Sequence, residues 1–109
     1  MELIDMNKDE RSLLLFFETC AVDHVGLVDV RHMNGNDMVL AVHWNEIGFI
    51  KFGRVKFYDI KKNFTHWCEL SDEAWRLAHQ ERRARYDRTN AKRDWLRTEK
   101  LHAALGGSR

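Results

Sequence analysis

NDMVLAVHWNEIGFIKFGRVKFYDIKKNFTHWCEL, residues 36–70, is the stretch that decides the fold. Asn36 is a helix-capping residue type, and Asp37 follows it at the positive end of the helix dipole. Leu40, Trp44 and Ile47, supported by Ala41, fall on one helical stripe, and Gly48 provides a left-handed stop. Phe49 to Ile60 then reads as a strand with Ile50 and Phe52 inward, continued by Val55, Phe57 and Tyr58 after a bulge at Gly53 that shifts the phase. Asp59 to Asn63 forms a basic turn carrying Lys61 and Lys62. On the return strand Phe64, His66, Cys68 and Leu70 share one face and Thr65, Trp67 and Glu69 the other, with Trp67 expected under the final helix, the alternative being an exposed ring that marks a partner surface.

Upstream, Asn7 and Glu10 have capping-box spacing, so a first helix is expected from Lys8 to about His24. Leu13, Phe16, Phe17, Cys20 and Ala21 build its apolar face, and Gly26 ends it. Leu27 to Val30 is a short strand or extended entry, Asp29 caps a brief helix from Val30 to Met33, and Asn34–Gly35 makes a turn. Downstream, Ser71 with Asp72 and Glu73 opens a last helix whose first turns are amphipathic through Ala74, Trp75, Leu77 and Ala78. Residues 79–94 are dominated by charge, after which Trp95, Leu96, Leu101, Ala104 and Leu105 are apolar again. Such a helix needs a second surface: either it folds back across a break near Thr89 and Asn90, or it meets another subunit. Gly106 to Arg109 reads as a frayed tail.

One domain's length, with 44% hydrophobic and 32% charged residues, argues for a folded core and against wholesale disorder. The longest apolar block, Leu13 to Phe17, is far short of a membrane span, and Glu2 and Asp5 do not suit a signal peptide. Two cysteines fit a reduced, cytoplasmic setting. Charge is segregated: residues 1–70 carry a net −3 and residues 71–109 a net +4, while Lys51, Arg54, Lys56, Lys61 and Lys62 face only Asp59 between residues 51 and 62. Two basic elements flanking an acidic body favour a polyanionic partner.

NEIGFIKFG followed by HWCELSDEAWRLA resembles the winged helix-turn-helix superfamily, and the likeness runs in order and length over about residues 8–80. In layout it is similar to bacterial regulators of the multiple-antibiotic-resistance and phenolic-acid-responsive types, which dimerise through added terminal helices. The resemblance implies DNA binding, with the third helix in the major groove and the wing beside the phosphate backbone. Asn36, His43 and Asn45 would then face the groove, and Lys51, Arg54, Lys56, Lys61 and Lys62 the backbone. The sequence departs from the pattern in the reading helix itself. No Arg or Lys stands between Asn34 and Ile50, and Asp37 and Glu46 would repel phosphate, which moves the expected nucleic-acid affinity into the wing.

The same sequence offers residues for other chemistry. The run Arg82, Arg83, Arg85, Arg88, Lys92, Arg93 and Arg97 could clamp nucleic acid, but Glu81 with Arg85 and Arg83 with Asp87 have the i,i+4 spacing of a solvated helix face. Cys20, His24, His66 and Cys68 offer a zinc-ligand set on paper without a C-x-x-C pair, and both cysteines stand where small apolar residues belong. No phosphate loop, nucleophile elbow or carboxylate pair points to an enzyme, and no cofactor or metal is expected.

The expectation is a mainly α chain with a small antiparallel β-hairpin wing, an α+β winged helix-turn-helix domain over residues 1–80 and a helical extension over 81–109. Its expected role is that of a DNA-binding transcriptional regulator acting on double-stranded DNA as a homodimer through Trp95, Leu96, Leu101 and Leu105. The rival is a non-enzymatic interaction module of a phage or mobile element, gripping a protein through the acidic and apolar face of the third helix.

Overall fold

The computed structural model describes the backbone of residues 1–104 and the side chains through Glu99. Its elements in chain order are α1 (Lys8–Asp23), β1 (Leu27–Val28), α2 (Gly35–Ile47), β2 (Ile50–Arg54), β3 (His66–Leu70) and α3 (Asp72–Ala104). Short 3-10 turns at Leu3–Asp5, Val30–His32 and Phe57–Asp59 fill the connections. The fold is thus mainly helical with a three-stranded antiparallel sheet in the order β1-β3-β2.

α1 begins where Asn7 and Glu10 form the reciprocal capping box: the Glu10 amide donates to Asn7 Oδ1 at 2.8 Å and the Asn7 amide to Glu10 Oε1 at 3.3 Å. It ends on two left-handed residues, Val25 and Gly26, with the Gly26 amide donating to Cys20 O at 2.9 Å. A side chain at Gly26 would also meet Cys68 O at 2.8 Å, so glycine is required there twice over. The Gly26 carbonyl accepts from the Cys68 amide at 2.7 Å, which pins the end of α1 to the middle of the sheet.

α2 starts two residues earlier than expected. Asn34 is the cap, accepting from the Asp37 amide at 2.8 Å while Asp37 Oδ2 accepts from the Asn34 amide at 3.1 Å. Asn36 therefore lies within the first helical turn rather than capping it, and Gly35 is the first helical residue, not part of a left-handed turn. Both asparagines suit a cap; the carboxylate three residues after Asn34 completes a reciprocal pair that Asn36, followed three residues on by Val39, lacks. Ala41 and Trp44 are buried, and Leu40 and Met38 are half-buried against the core, but Ile47 is exposed, so the inward side is Met38, Leu40, Ala41 and Trp44. Gly48, left-handed as expected, reverses the chain and drops Phe49 and Ile50 into the core.

β2 and β3 pair without a bulge: Ile50 opposes Leu70, Lys51 Glu69, Phe52 Cys68, Gly53 Trp67 and Arg54 His66. Gly53 is small for another reason, since a Cβ there would stand 2.9 Å from the Trp67 indole. Trp67 consequently lies on the outer face of the sheet, over Gly53, instead of beneath α3. The strand β2 ends at Arg54, and Phe57 and Tyr58 occupy a 3-10 turn facing solvent rather than the core. Adjacent residues cannot both face inward on a strand, and the ladder stops at Arg54, before this pair. β3 starts at His66, two residues later than expected, with Lys61 and Phe64 forming an isolated bridge below the tip.

The core is a chain of aromatic contacts, with ring centroids 6.4 Å apart for Phe17 and Trp44, 5.2 Å for Trp44 and Phe49, and 5.6 Å for Phe17 and Phe52. Leu14, Ile50, Val28, Leu77 and Ala78 close around it. Ser71 caps α3 by accepting from the Ala74 amide at 3.1 Å and donates to Phe49 O at 2.7 Å, tying the last helix to the α2–β2 junction. α3 then runs unbroken through Thr89 and Asn90 to Ala104, so it does not fold back. A 33-residue helix is about 50 Å long, which accounts for the elongated 66 × 32 × 23 Å envelope.

Candidate nucleic-acid interface

The β2–β3 hairpin carries Lys51, Arg54, Lys56, Lys61 and Lys62, all exposed. Among the described residues none of the five lies within ion-pairing distance of a carboxylate. Glu69 stands opposite Lys51 across the ladder and balances that one charge locally. Arg54, Lys56, Lys61 and Lys62 remain as a positive edge. The loop that holds them is built: the Val55 amide donates to Thr65 O at 2.9 Å, the Asp59 amide to Lys56 O at 2.8 Å, and the Phe64 amide to Lys61 O at 3.1 Å. Lys62 takes a left-handed conformation at the tip, with φ 56°, turning the chain back.

The proximal arginines of α3 are used differently. Glu18 and Glu81 are buried between α1 and α3, Glu81 with only 1% of its surface exposed. Arg82 Nε pairs with Glu18, and Arg82 Nη2 reaches Thr19 Oγ1 at 3.3 Å. Arg85 Nε donates to Glu81 Oε2 at 2.6 Å, while Arg88 and Arg11 approach the same carboxylate at 3.5 and 4.0 Å. These cations neutralise buried acids at the α1–α3 seam, so the basic run is in part an interior clamp. Its i,i+4 spacing marked a pair, but a solvated face was the wrong surrounding for Glu81.

The third-helix candidates divide. Asn36 and His43 are exposed on α2, whereas Asn45 Oδ1 accepts from the Phe52 amide at 3.0 Å and is engaged in starting β2. Around them the outer face of α2 shows Val39, 72% exposed, with Val42, Glu46 and Ile47. On α3, Trp95 and Leu96 are exposed; the Leu101 side chain and all of Leu105 lie outside the described residues.

The paper zinc set is occupied by packing. Cys20 and Cys68 are buried free thiols, and burial pushes them up to about 11 and about 12, with Asp29 adding to the first and Cys20 to the second. The His66 ring stacks on Phe52 with centroids 5.1 Å apart and its Nδ1 meets Thr65 Oγ1 at 2.8 Å; burial and then Arg54 hold it below the ordinary histidine range. His24 lies against Phe64. Among the described residues no group of three or more His, Cys, Asp or Glu is placed to hold a metal ion, and no helix is long and apolar enough to cross a membrane.

Phe57 and Tyr58 are the residues that strand reasoning misplaced. They are 85% and 69% exposed, with ring centroids 6.0 Å apart in an edge-to-face arrangement, and Lys56 Nζ stands 5.9 Å from the Tyr58 centroid. Two adjacent aromatics interrupting an alternating strand between Lys56 and Asp59 were the available signal. Comparison with known proteins identifies no matching family model, curated protein or solved structure.

Proposed function

We propose that the chain is a winged-helix nucleic-acid-binding protein that holds duplex DNA by its phosphate backbone through the β2–β3 hairpin. The observation that carries this reading is the set of four exposed, unneutralised cations, Arg54, Lys56, Lys61 and Lys62, on a structured hairpin. The element order and the sheet order β1-β3-β2 support it with α2 read as the recognition helix and the hairpin as the wing, the helix expected before α2 being the three-residue 3-10 turn Val30–His32. α2 itself contributes orientation more than base reading, since Asn45 is engaged and Asn36 and His43 are its remaining polar candidates. A regulator of transcription that reads sequence weakly and holds backbone strongly fits this distribution.

The extension fits a homodimer. Trp95 is 62% exposed and Leu96 lies beside it, on a helix that has left its own core. Light scattering should then give a mass near twice 13.0 kDa, and a strict monomer would remove this part of the reading.

A second reading rests on Val39, Val42 and Ile47, which with Glu46 make an apolar and acidic outer face on α2. That face suits a protein partner better than phosphate, as in an accessory protein of a phage or mobile element. Gel shift at low salt separates the two. Duplex DNA retarded by the wild type and released by Lys61→Glu/Lys62→Glu supports the wing. Unchanged retardation in that variant moves DNA binding off the wing and sinks this reading of the site, while no retardation in the wild type sinks it and leaves the protein-partner reading.

A further inference from the structure

We infer that the hairpin tip is a stacking platform for unpaired bases, so that the preferred ligand of the basic wing is single-stranded nucleic acid rather than intact duplex. This rests on the backbone-binding reading above and adds a ligand class to the same site. The carrying observation is that Phe57 and Tyr58 make no core contribution, although each presents a large apolar ring to water. The turn Phe57–Asp59 holds them outward, and the edge-to-face contact, with centroids 6.0 Å and planes 79° apart, fixes the two rings as separate faces, each open to one base.

The charges around the rings match a strand threaded across the tip. Lys56 precedes the aromatic pair and sits by the Tyr58 ring, and Lys61 and Lys62 follow it at the turn, three cations against the one exposed carboxylate, Asp59, that directly follows Tyr58. Aromatic faces flanked by lysines suit a single strand: every base has a π-face to stack, and the backbone beside it needs cations. A duplex keeps its bases stacked on one another and can use only the lysines. An anionic lipid surface would also be attracted to lysines and rings. The tip, however, exposes only two rings, with the adjacent Ile60 half-buried, and so offers little apolar area for insertion.

The test uses the full chain with a fluorescein-labelled 15-nucleotide oligo-dT strand and a 15-base-pair duplex, by anisotropy at low salt. The wild type is expected to bind the single strand about tenfold more tightly than the duplex. Phe57→Ala/Tyr58→Ala should bring the two affinities together without weakening duplex binding, and Phe57→Tyr/Tyr58→Phe should retain the preference. Both substitutions change exposed loop residues, and an unchanged circular dichroism spectrum confirms the fold. A single strand carrying 2-aminopurine should be quenched by the wild type and much less by the alanine pair. Duplex binding equal to or tighter than single-strand binding in the wild type overturns the stacking inference while the backbone reading stands. Absence of binding to either nucleic acid overturns both. If the alanine pair loses binding to phosphatidylserine vesicles but keeps its single-strand affinity, the tip serves a lipid surface and the inference is overturned.

Discussion

Removing Arg85 from beside Glu81 should cost far more than its partly exposed position on α3 suggests. The Glu81 side chain is 2% exposed and accepts from Arg85 Nε at 2.6 Å, whereas the Arg85 side chain is 38% exposed and the Arg88 side chain 60%. Arg85→Ala removes a hydrogen bond to a charged, desolvated acceptor, worth about 1.5–3 kcal/mol. Arg88 lies at 3.5 Å in solvent and should count for less than about 1 kcal/mol. If stranding the buried carboxylate is what costs, then Arg85→Ala made in a Glu81→Met background should be nearly silent, because no acid remains to be stranded. Urea unfolding followed by circular dichroism, with all four members of the cycle compared at constant m, should give a coupling of at least about 1 kcal/mol. Additive effects, or an Arg85→Ala change below about 0.5 kcal/mol, would refute the clamp and return these arginines to the pool available for ligand.

Three further outcomes check local features. Asn34→Ala should lower stability by about 1 kcal/mol, against a few tenths for Asn36→Ala, since only Asn34 caps α2; equal effects in urea unfolding would reverse that assignment. The thiols of Cys20 and Cys68, buried and raised to about 11 and about 12, should react with Ellman's reagent at pH 8 only as fast as the protein unfolds, and prompt reaction of the folded protein would contradict their burial. The imidazole of His66 should titrate below 6.5 by NMR and move upward in Arg54→Gln. Because its folded pKa is lowered, its contribution to stability is complete above pH 6.5 and is lost as pH falls through the lowered value. An unchanged His66 titration in Arg54→Gln would place that arginine elsewhere.

Much of the architecture was legible because it is local. The capping box at Asn7 and Glu10, the glycine stops at Gly26 and Gly48, and the two-faced alternation from His66 to Leu70 are each settled within a few residues. What was misread depends on partners distant in sequence or on competing local choices. Asn34 and Asn36 are equally good caps until the position of Asp37 is considered. Gly53 looked like a bulge because the indole of Trp67, which excludes a side chain there, lies across the ladder. Ile47 looked buried because its spacing from Trp44 is helical, yet it is the last residue of α2 and lies 52% exposed. The basic hairpin could be read from composition, but the difference between its exposed cations and the arginines paired with Glu18 and Glu81 required the packing of α1 on α3.

Salt dependence of duplex affinity tests the central claim most directly. With Arg54, Lys56, Lys61 and Lys62 against phosphate, the slope of log K on log salt should be about −2 to −4 per protomer, and Lys61→Gln/Lys62→Gln should reduce its magnitude by about 2. A wild-type slope near zero, or a slope that the double substitution leaves unchanged, would contradict a hairpin that holds the phosphate backbone.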